Sequence, residues 1–159
     1  MKINQLPHRR TMEEKGIMDL LRDAEVGQLA TVSEDGKPYV VPICFVFDGK
    51  RIYFHCGLKG KKLDNIKANA SVCFSVFKVL GLGVNADKPC NSWTYYHSVL
   101  AAGTAHFVED QEQKARALRL ISEKYARGPV GEMPATEIER TCVVEIAIDE
   151  LSGKTNEKK

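Results

Sequence analysis

Gly57, Lys59, Gly60, Lys61 and Lys62 form the stretch of this 159-residue chain whose residue types and spacing point most directly to chemistry. Leu63, Ile66 and Ala70 follow at helical spacing, so the lysines stand where a glycine-containing loop enters a helix. The first turn of a helix already carries unpaired N–H groups and the positive end of the macrodipole, and each cation placed there costs about 0.3–1 kcal/mol. A phosphate at that point would receive backbone N–H bonds, the dipole and one or two ammonium groups together, and the glycines would let it approach the backbone closely. The other reading is a solvated basic loop in which Asp64 offsets part of the charge. Spacing alone leaves both open.

Composition narrows what else the chain can be. Hydrophobic residues make up 43% and charged residues 28%, the balance of a globular domain, and the length suits one domain spanning 1–159. A formal net charge of +2 gives no global argument for a nucleic-acid or membrane partner. Cys44, Cys56, Cys73, Cys90 and Cys142 are odd in number and lack a CxxC pair, so neither a disulfide framework nor a metal site is expected, and a reducing, cytoplasmic setting fits. The first ten residues lack the apolar stretch of a signal peptide, and no run approaches the roughly 20 apolar residues of a membrane span. Residues 1–10 and 152–159 read as mobile tails.

The elements that position the basic loop are legible as patterns. Thr11 and Glu14 fit a capping box for a helix from Met12 to Asp23. Strands follow at Val26 to Val32, Tyr39 to Phe47 and Lys50 to Cys56, joined as a meander through Ser33-Glu34-Asp35-Gly36 and Asp48-Gly49. The middle strand is apolar on both faces, Val41, Ile43, Phe45 and Phe47 against Val40, Cys44 and Val46, and so reads as central. Pro42 fits that place poorly, because proline cannot donate to a ladder and marks an edge, a bulge or the approach of something other than a strand. Further strands are expected at Ser71 to Phe77, Trp93 to Val108 with a bend at Gly103, and Thr141 to Ile148. Asp110 with Gln113 should cap a helix to Ala126, while 81–92 and 128–135 read as loops. Six mostly antiparallel strands with a few short helices make a mainly β fold, a small closed or partly closed barrel.

Taken together, Tyr53-Phe54-His55-Cys56, Gly60-Lys61-Lys62, Leu63-Asp64-Asn65-Ile66 and Asn69-Ala70-Ser71-Val72-Cys73-Phe74 resemble the pyridoxamine 5'-phosphate oxidase-like FMN-binding split-barrel family. Tyr95-Tyr96-His97-Ser98-Val99, Gly103-Thr104-Ala105 and Val144-Glu145-Ile146 extend the resemblance, which is nearest to the nitroimidazole-resistance-type branch. It implies a six-stranded antiparallel split β-barrel and a homodimer with FMN between the subunits. Lys61 and Lys62 match cationic phosphate ligands, and His55 and Cys56 match the strand end that contacts the cofactor. The backbone of Val40, Val41, Pro42 and Ile43 matches the segment along the isoalloxazine ring. Ser98 matches a position reaching the flavin from the partner subunit, with Tyr96 and His97 weaker candidates beside it.

Two departures bear on activity: Val40 stands where true pyridoxamine phosphate oxidases place a phosphate-binding arginine, and the Trp/Arg/His segment that binds their substrate is missing. The implied function is therefore an FMN-dependent reductase or oxidase moving electrons from NAD(P)H to a small nitro or quinone-like acceptor, with His55 the candidate catalytic group. The alternative is a carrier or sensor of flavin or haem, with His55 or His97 as axial ligand. Cys56 fits a packing role better than a catalytic thiol. Trp93, Tyr95 and Tyr96 would line a pocket or the dimer seam, whereas His8 and His106 read as surface residues. A nucleic-acid-binding barrel is a third possibility that the even charge distribution opposes.

Overall fold

In the computed structural model, which describes residues 1–3 and 10–157, eight strands share one sheet. They are β1 (Lys2–Ile3), β2 (Val26–Val32), β3 (Pro38–Cys44), β4 (Val46–Phe47), β5 (Arg51–Cys56), β6 (Ser71–Gly83), β7 (Trp93–Phe107) and β8 (Cys142–Asn156). The order is β3-β2-β6-β7-β8-β5-β4, antiparallel throughout, with β1 parallel beside β8. Four α-helices among the described residues accompany the sheet: α1 (Glu14–Asp23), α2 (Lys61–Ala68), α3 (Gln111–Ala126) and α4 (Ala135–Glu139). The mainly β class follows from the alternating strands, and the expected six become eight because the 38–47 run divides at Phe45 and Lys2–Ile3 adds a short strand. Among the described residues no ladder joins β3 to β4, so hydrogen bonding does not close the sheet. Its two ends are the two halves of one chain segment, linked through Phe45.

Burial follows the alternation. Leu29, Phe54, Phe74, Val99, Ile146 and other inward residues form the main core, which Ile17, Leu20 and Leu21 of α1 cover. On the outer side a second cluster joins Val46, Tyr53 and Val143 to Ala117, Leu118 and Ile121 of α3. Gly103 lies at a bulge, opposite Ile148 while Ala102 faces Glu150. A Cβ on Gly103 would meet the Ala147 carbonyl oxygen at 2.2 Å, so this bend needs glycine.

The chain between β3 and β4 is held from outside the sheet. Phe45 is wholly buried and packs edge-on against Phe74, with ring centroids 4.7 Å apart. Its N–H donates to the Tyr125 hydroxyl oxygen at 2.8 Å, and its carbonyl accepts from the Lys124 ammonium at 2.9 Å. That ammonium also donates to the Ala24 carbonyl at 2.6 Å, and the Tyr125 O–H donates to the Glu25 carbonyl. Burial pushes the Tyr125 phenol up to about 12 and the Lys124 ammonium below its ordinary value.

Several expectations are corrected. The segment after Tyr39 is not central: β3 ends the sheet, pairs only with β2 in the ladder, and exposes Val40, Pro42 and Cys44. Two apolar faces imitated full burial, and Pro42 marked the edge, where a missing N–H breaks no ladder. The capping box does not form, because α1 starts after Glu13, which makes no side-chain cap bond, while Thr11 bridges Lys154. Asp110 does cap α3, accepting from the Gln113 N–H at 2.9 Å. The expected tail at 152–159 is a strand as far as Asn156, laddered to β7. Of residues 1–10, Lys2–Ile3 is a strand, and the rest of that expected tail up to His8 and Arg9 lies outside the described residues. Gly81 to Gly83 belongs to β6, not to a loop, and α4 stands where no element was expected. No helix among the described residues is long and apolar enough to cross a membrane.

Candidate functional site

The loop from Gly57 to Gly60 leaves β5 and turns into α2. Gly60 adopts φ +146°, a conformation that L side chains resist, and a Cβ at Gly57 or Gly60 would meet nothing within 4 Å. The space over the loop is open. The N–H groups of Leu63 and Asp64 turn back to the Gly60 carbonyl at 2.8 and 3.2 Å, and no side chain caps the helix. The positive end of α2 thus faces that open space with Lys61 and Lys62 in its first turn.

Both lysines reach neighbouring strands. The Lys61 ammonium lies over the Tyr39 ring, 4.9 Å from its centroid, which joins the loop to β3. Lys62 and the buried Lys114 act on Cys142 at the start of β8, where their charge favours its thiolate. A relay behind them fixes α2 in place. The Asn65 amide donates to the Thr31 hydroxyl at 2.9 Å, and that hydroxyl donates to the Tyr39 carbonyl at 3.4 Å. Asn65 and Thr31 are 4% and 1% exposed, so the relay is a buried polar contact that must stay paired. The sequence places Asn65 in a family-like motif without a role, and gives no role to Thr31 or Tyr39. The available signal was an amide flanking Leu63 and Ile66 on the buried face of an amphipathic helix.

His55 and Cys56 end β5, opposite Val143 and Cys142. The pleat turns them apart. His55 points outward and is exposed, although partial desolvation holds its imidazole below its ordinary pKa. Cys56 packs against the rim of the main core, which agrees with the packing reading of that residue. In β3, Val41 and Ile43 lean on the core, whereas Val40 is 58% exposed beside Pro42.

Ser98 and Tyr96 lie elsewhere in the same chain. Ser98 pairs with Lys154 on β8, eleven residues beyond Val143, the partner of His55, so about 36 Å of strand separates the two positions along β8. One chain therefore does not bring Ser98 or Tyr96 to His55, Lys61 and Lys62. They do share the outer face of the sheet with Val40 and Pro42, a face that also carries exposed Phe77, Val79 and Leu100. The Phe77 and Tyr96 rings lie 5.4 Å apart there.

Of two prominent cavities among the described residues, one contains His97, and neither contains Val40 to Ile43, His55, Cys56, Lys61, Lys62, Tyr96 or Ser98. A groove of about 1070 Å³ between α1, the start of β7 and the end of β8 is lined by Arg10, Lys15, Trp93, Tyr95, His97 and Glu157, among others. Trp93 and Tyr95 line this groove together with His97, and Tyr96 does not. His97 Nε2 lies 2.6 Å from the Glu157 carboxylate, which holds the Glu157 carboxyl below its ordinary pKa. The second cavity, about 200 Å³, lies by Arg51, Tyr53 and Arg116. In a single chain the loop, β3 and the end of β5 form an open surface. No group of three or more His, Cys, Asp and Glu residues able to hold a metal occurs among the described residues.

The family model for pyridoxamine 5'-phosphate oxidase matches residues 13–155. No curated protein matches the sequence. Among solved structures, a candidate 5-nitroimidazole antibiotic resistance protein from Bacteroides thetaiotaomicron is 24% identical with a TM-score of 0.79, over 89% of this chain and 83% of that one. The flavocytochrome Anf3 from Azotobacter vinelandii is 25% identical with a TM-score of 0.78, over 92% of this chain and 68% of that one. A FAD- and heme-binding protein from Mycobacterium smegmatis is 23% identical with a TM-score of 0.83, over 95% of this chain and 75% of that one.

Proposed function

The chain belongs to the pyridoxamine 5'-phosphate oxidase family, and from that premise we propose that it is a homodimeric split-barrel flavoprotein that holds FMN and reduces a small acceptor with NAD(P)H. The observation that carries this reading is the uncapped start of α2: Gly60, Lys61 and Lys62 under open space, beside a sheet edge with no strand laddered to it. A dianionic phosphate satisfies the first and a planar heterocycle suits the second. The split of the barrel falls at Phe45.

In this reading Lys61, Lys62 and the first N–H groups of α2 hold the phosphate. The free backbone edge of Val40 to Ile43 lies along the ring, where Pro42 removes one donor and leaves only a carbonyl. Ser98 and Tyr96 come from the second subunit, since their own chain keeps them far from the loop. Exposed Val40, Phe77, Val79 and Leu100 exclude water once the two chains meet. His55, kept largely neutral by its surroundings, can donate or accept one hydrogen bond near the cofactor. Bound flavin supplies the hydride and electron chemistry, and the protein supplies position and dryness. Val40 in place of an arginine directs the reading away from pyridoxamine phosphate as substrate.

The likeness to a flavocytochrome favours one second reading, a flavin or haem carrier. His55 is exposed beside the loop, and His97, whose Nε2 meets Glu157, retains Nδ1 as a ligating atom, so both are candidates to ligate iron. The test is to add FMN, FAD or haem to purified protein and follow the visible spectrum, then NADH or NADPH oxidation. Retention of FMN, weakened roughly 10–100-fold in the Lys61→Ala/Lys62→Ala variant while its unfolding midpoint stays put, is the expected result. A protein that never gains a flavin spectrum removes the proposal, and a haem spectrum abolished by His55→Ala or His97→Ala replaces it.

A further inference from the structure

Cys56 closes β5 and Cys142 opens β8, and the register sets them directly opposite each other. Both are partly buried and pack against the rim of the same core, so their side chains share one face of the sheet. Opposed residues of an antiparallel ladder have Cα atoms about 4.5 or 5.5 Å apart, and both spacings lie inside the roughly 4.4–6.8 Å window in which disulfides occur. The thiols also act on each other. Burial first, then the charge and hydrogen bonding of Cys56, push Cys142 up to about 11, against the pull of Lys114 and Lys62. The other cysteines have no such mate in the ladders: Cys44 faces Val26, Cys73 faces Ala30 and Ala102, and Cys90 lies outside the strands.

We propose that Cys56 and Cys142 form a redox-modification site, closed reversibly into a cross-strand disulfide by a small disulfide oxidant of the glutathione class. This goes beyond the flavin reading and stands whether or not the loop holds a phosphate. Cys56 ends its strand beside the open space at Gly57, so it meets the oxidant first: its thiolate takes one sulfur of oxidised glutathione and expels a glutathione thiolate. Cys142 then gives up its proton, attacks the Cys56 sulfur and expels the second glutathione. The protein loses two protons and two electrons, and the oxidant gains them as two glutathione thiols. Cross-strand Cβ atoms stand about 4.5–5.5 Å apart against about 3.5–4.5 Å in a disulfide, so the strand ends must draw in by roughly 1 Å. Both residues end their strands, and Gly57, with open space around it, follows Cys56. A bond formed under such tension is of the easily reduced kind, suited to reversal.

The experiment treats dilute full-length protein with oxidised glutathione, blocks remaining thiols by alkylation, and maps the non-reduced digest by mass spectrometry. The expected product is a Cys56–Cys142 peptide, with the thiol titre falling from five to three and returning on treatment with reduced glutathione. In Cys142→Ser the glutathione should stay trapped on Cys56. The wild-type map needs no variant to fold. Alkylation of both residues while exposed Cys44 and Cys90 take up glutathione would overturn the proposal. So would a Cys56–Cys142 bond that forms only in urea, or a Cys142→Ser protein with no adduct at Cys56.

Discussion

The outer side of the sheet has two regions of similar chemistry and opposite fate. Across β4, β5 and the start of β8, Val46, Tyr53 and Val143 are buried beneath Ala117, Leu118 and Ile121 of α3. Across β3, β2, β6 and β7, Val40, Phe77, Val79 and Leu100 carry comparable apolar surface that no helix among the described residues covers. The chain supplies its own cover for the first and none for the second, although one segment, 38–47, contributes to both. Apolar outer faces therefore do not by themselves mean core, and what decides is whether α3 is there. In the proposed function the second region receives a second chain and a flavin.

The largest expected effect tests the covered region. Ile121→Ala should cost about 2–5 kcal/mol, read as a lower urea midpoint, because it leaves a cavity under a residue only 2% exposed. Next comes the boundary between the regions. Tyr125→Phe takes away the acceptor of the Phe45 N–H and the donor to Glu25, and should cost about 1–3 kcal/mol. Phe77→Ser acts on the bare region: unfolding of the single chain should move by no more than about 0.5 kcal/mol, while light scattering should fall from the mass of two chains to that of one. A wild-type protein of one-chain mass at all concentrations would break the comparison. The smallest effect is on pH dependence. His55 titrates below its ordinary value in the folded chain, so the unfolded chain binds its proton first, and stability present above about pH 6.5 should decline as pH falls through that value. An NMR titration of the His55 ring checks the direction, and bound phosphate at the loop should move the ring's pKa upward.

Local chemistry was legible where the cause was local. The limits of β2, the Asp110 cap and the bend at Gly103 could be read from alternation, an acidic cap and a lone glycine. The loop-to-helix junction was legible for the same reason. What escaped depends on partners far along the chain. The strand β8 runs past Ile148 through Asp149, Glu150 and Ser152 because the long β7 lies beside it, which no window of sequence reveals. The glycines of β6 looked like a turn, yet a Cβ on Gly83 would meet the Trp93 ring at 2.6 Å: the aromatic ring fills the place of the missing side chain. Phe45 looked like the middle of a strand, because its break is held by Lys124 and Tyr125, some 80 residues later. At the candidate site the lysines announced themselves by charge, but the Asn65–Thr31–Tyr39 relay joins three elements, and its only local trace was an amide on the buried face of α2.

Pro42 has a further consequence for the chain before it meets any partner. A sheet margin of this length, with apolar side chains on show, is a template on which a stray strand from another polypeptide could grow into a fibril. A ring that offers no hydrogen to such a visitor interrupts the template midway and opposes polymerisation along that margin.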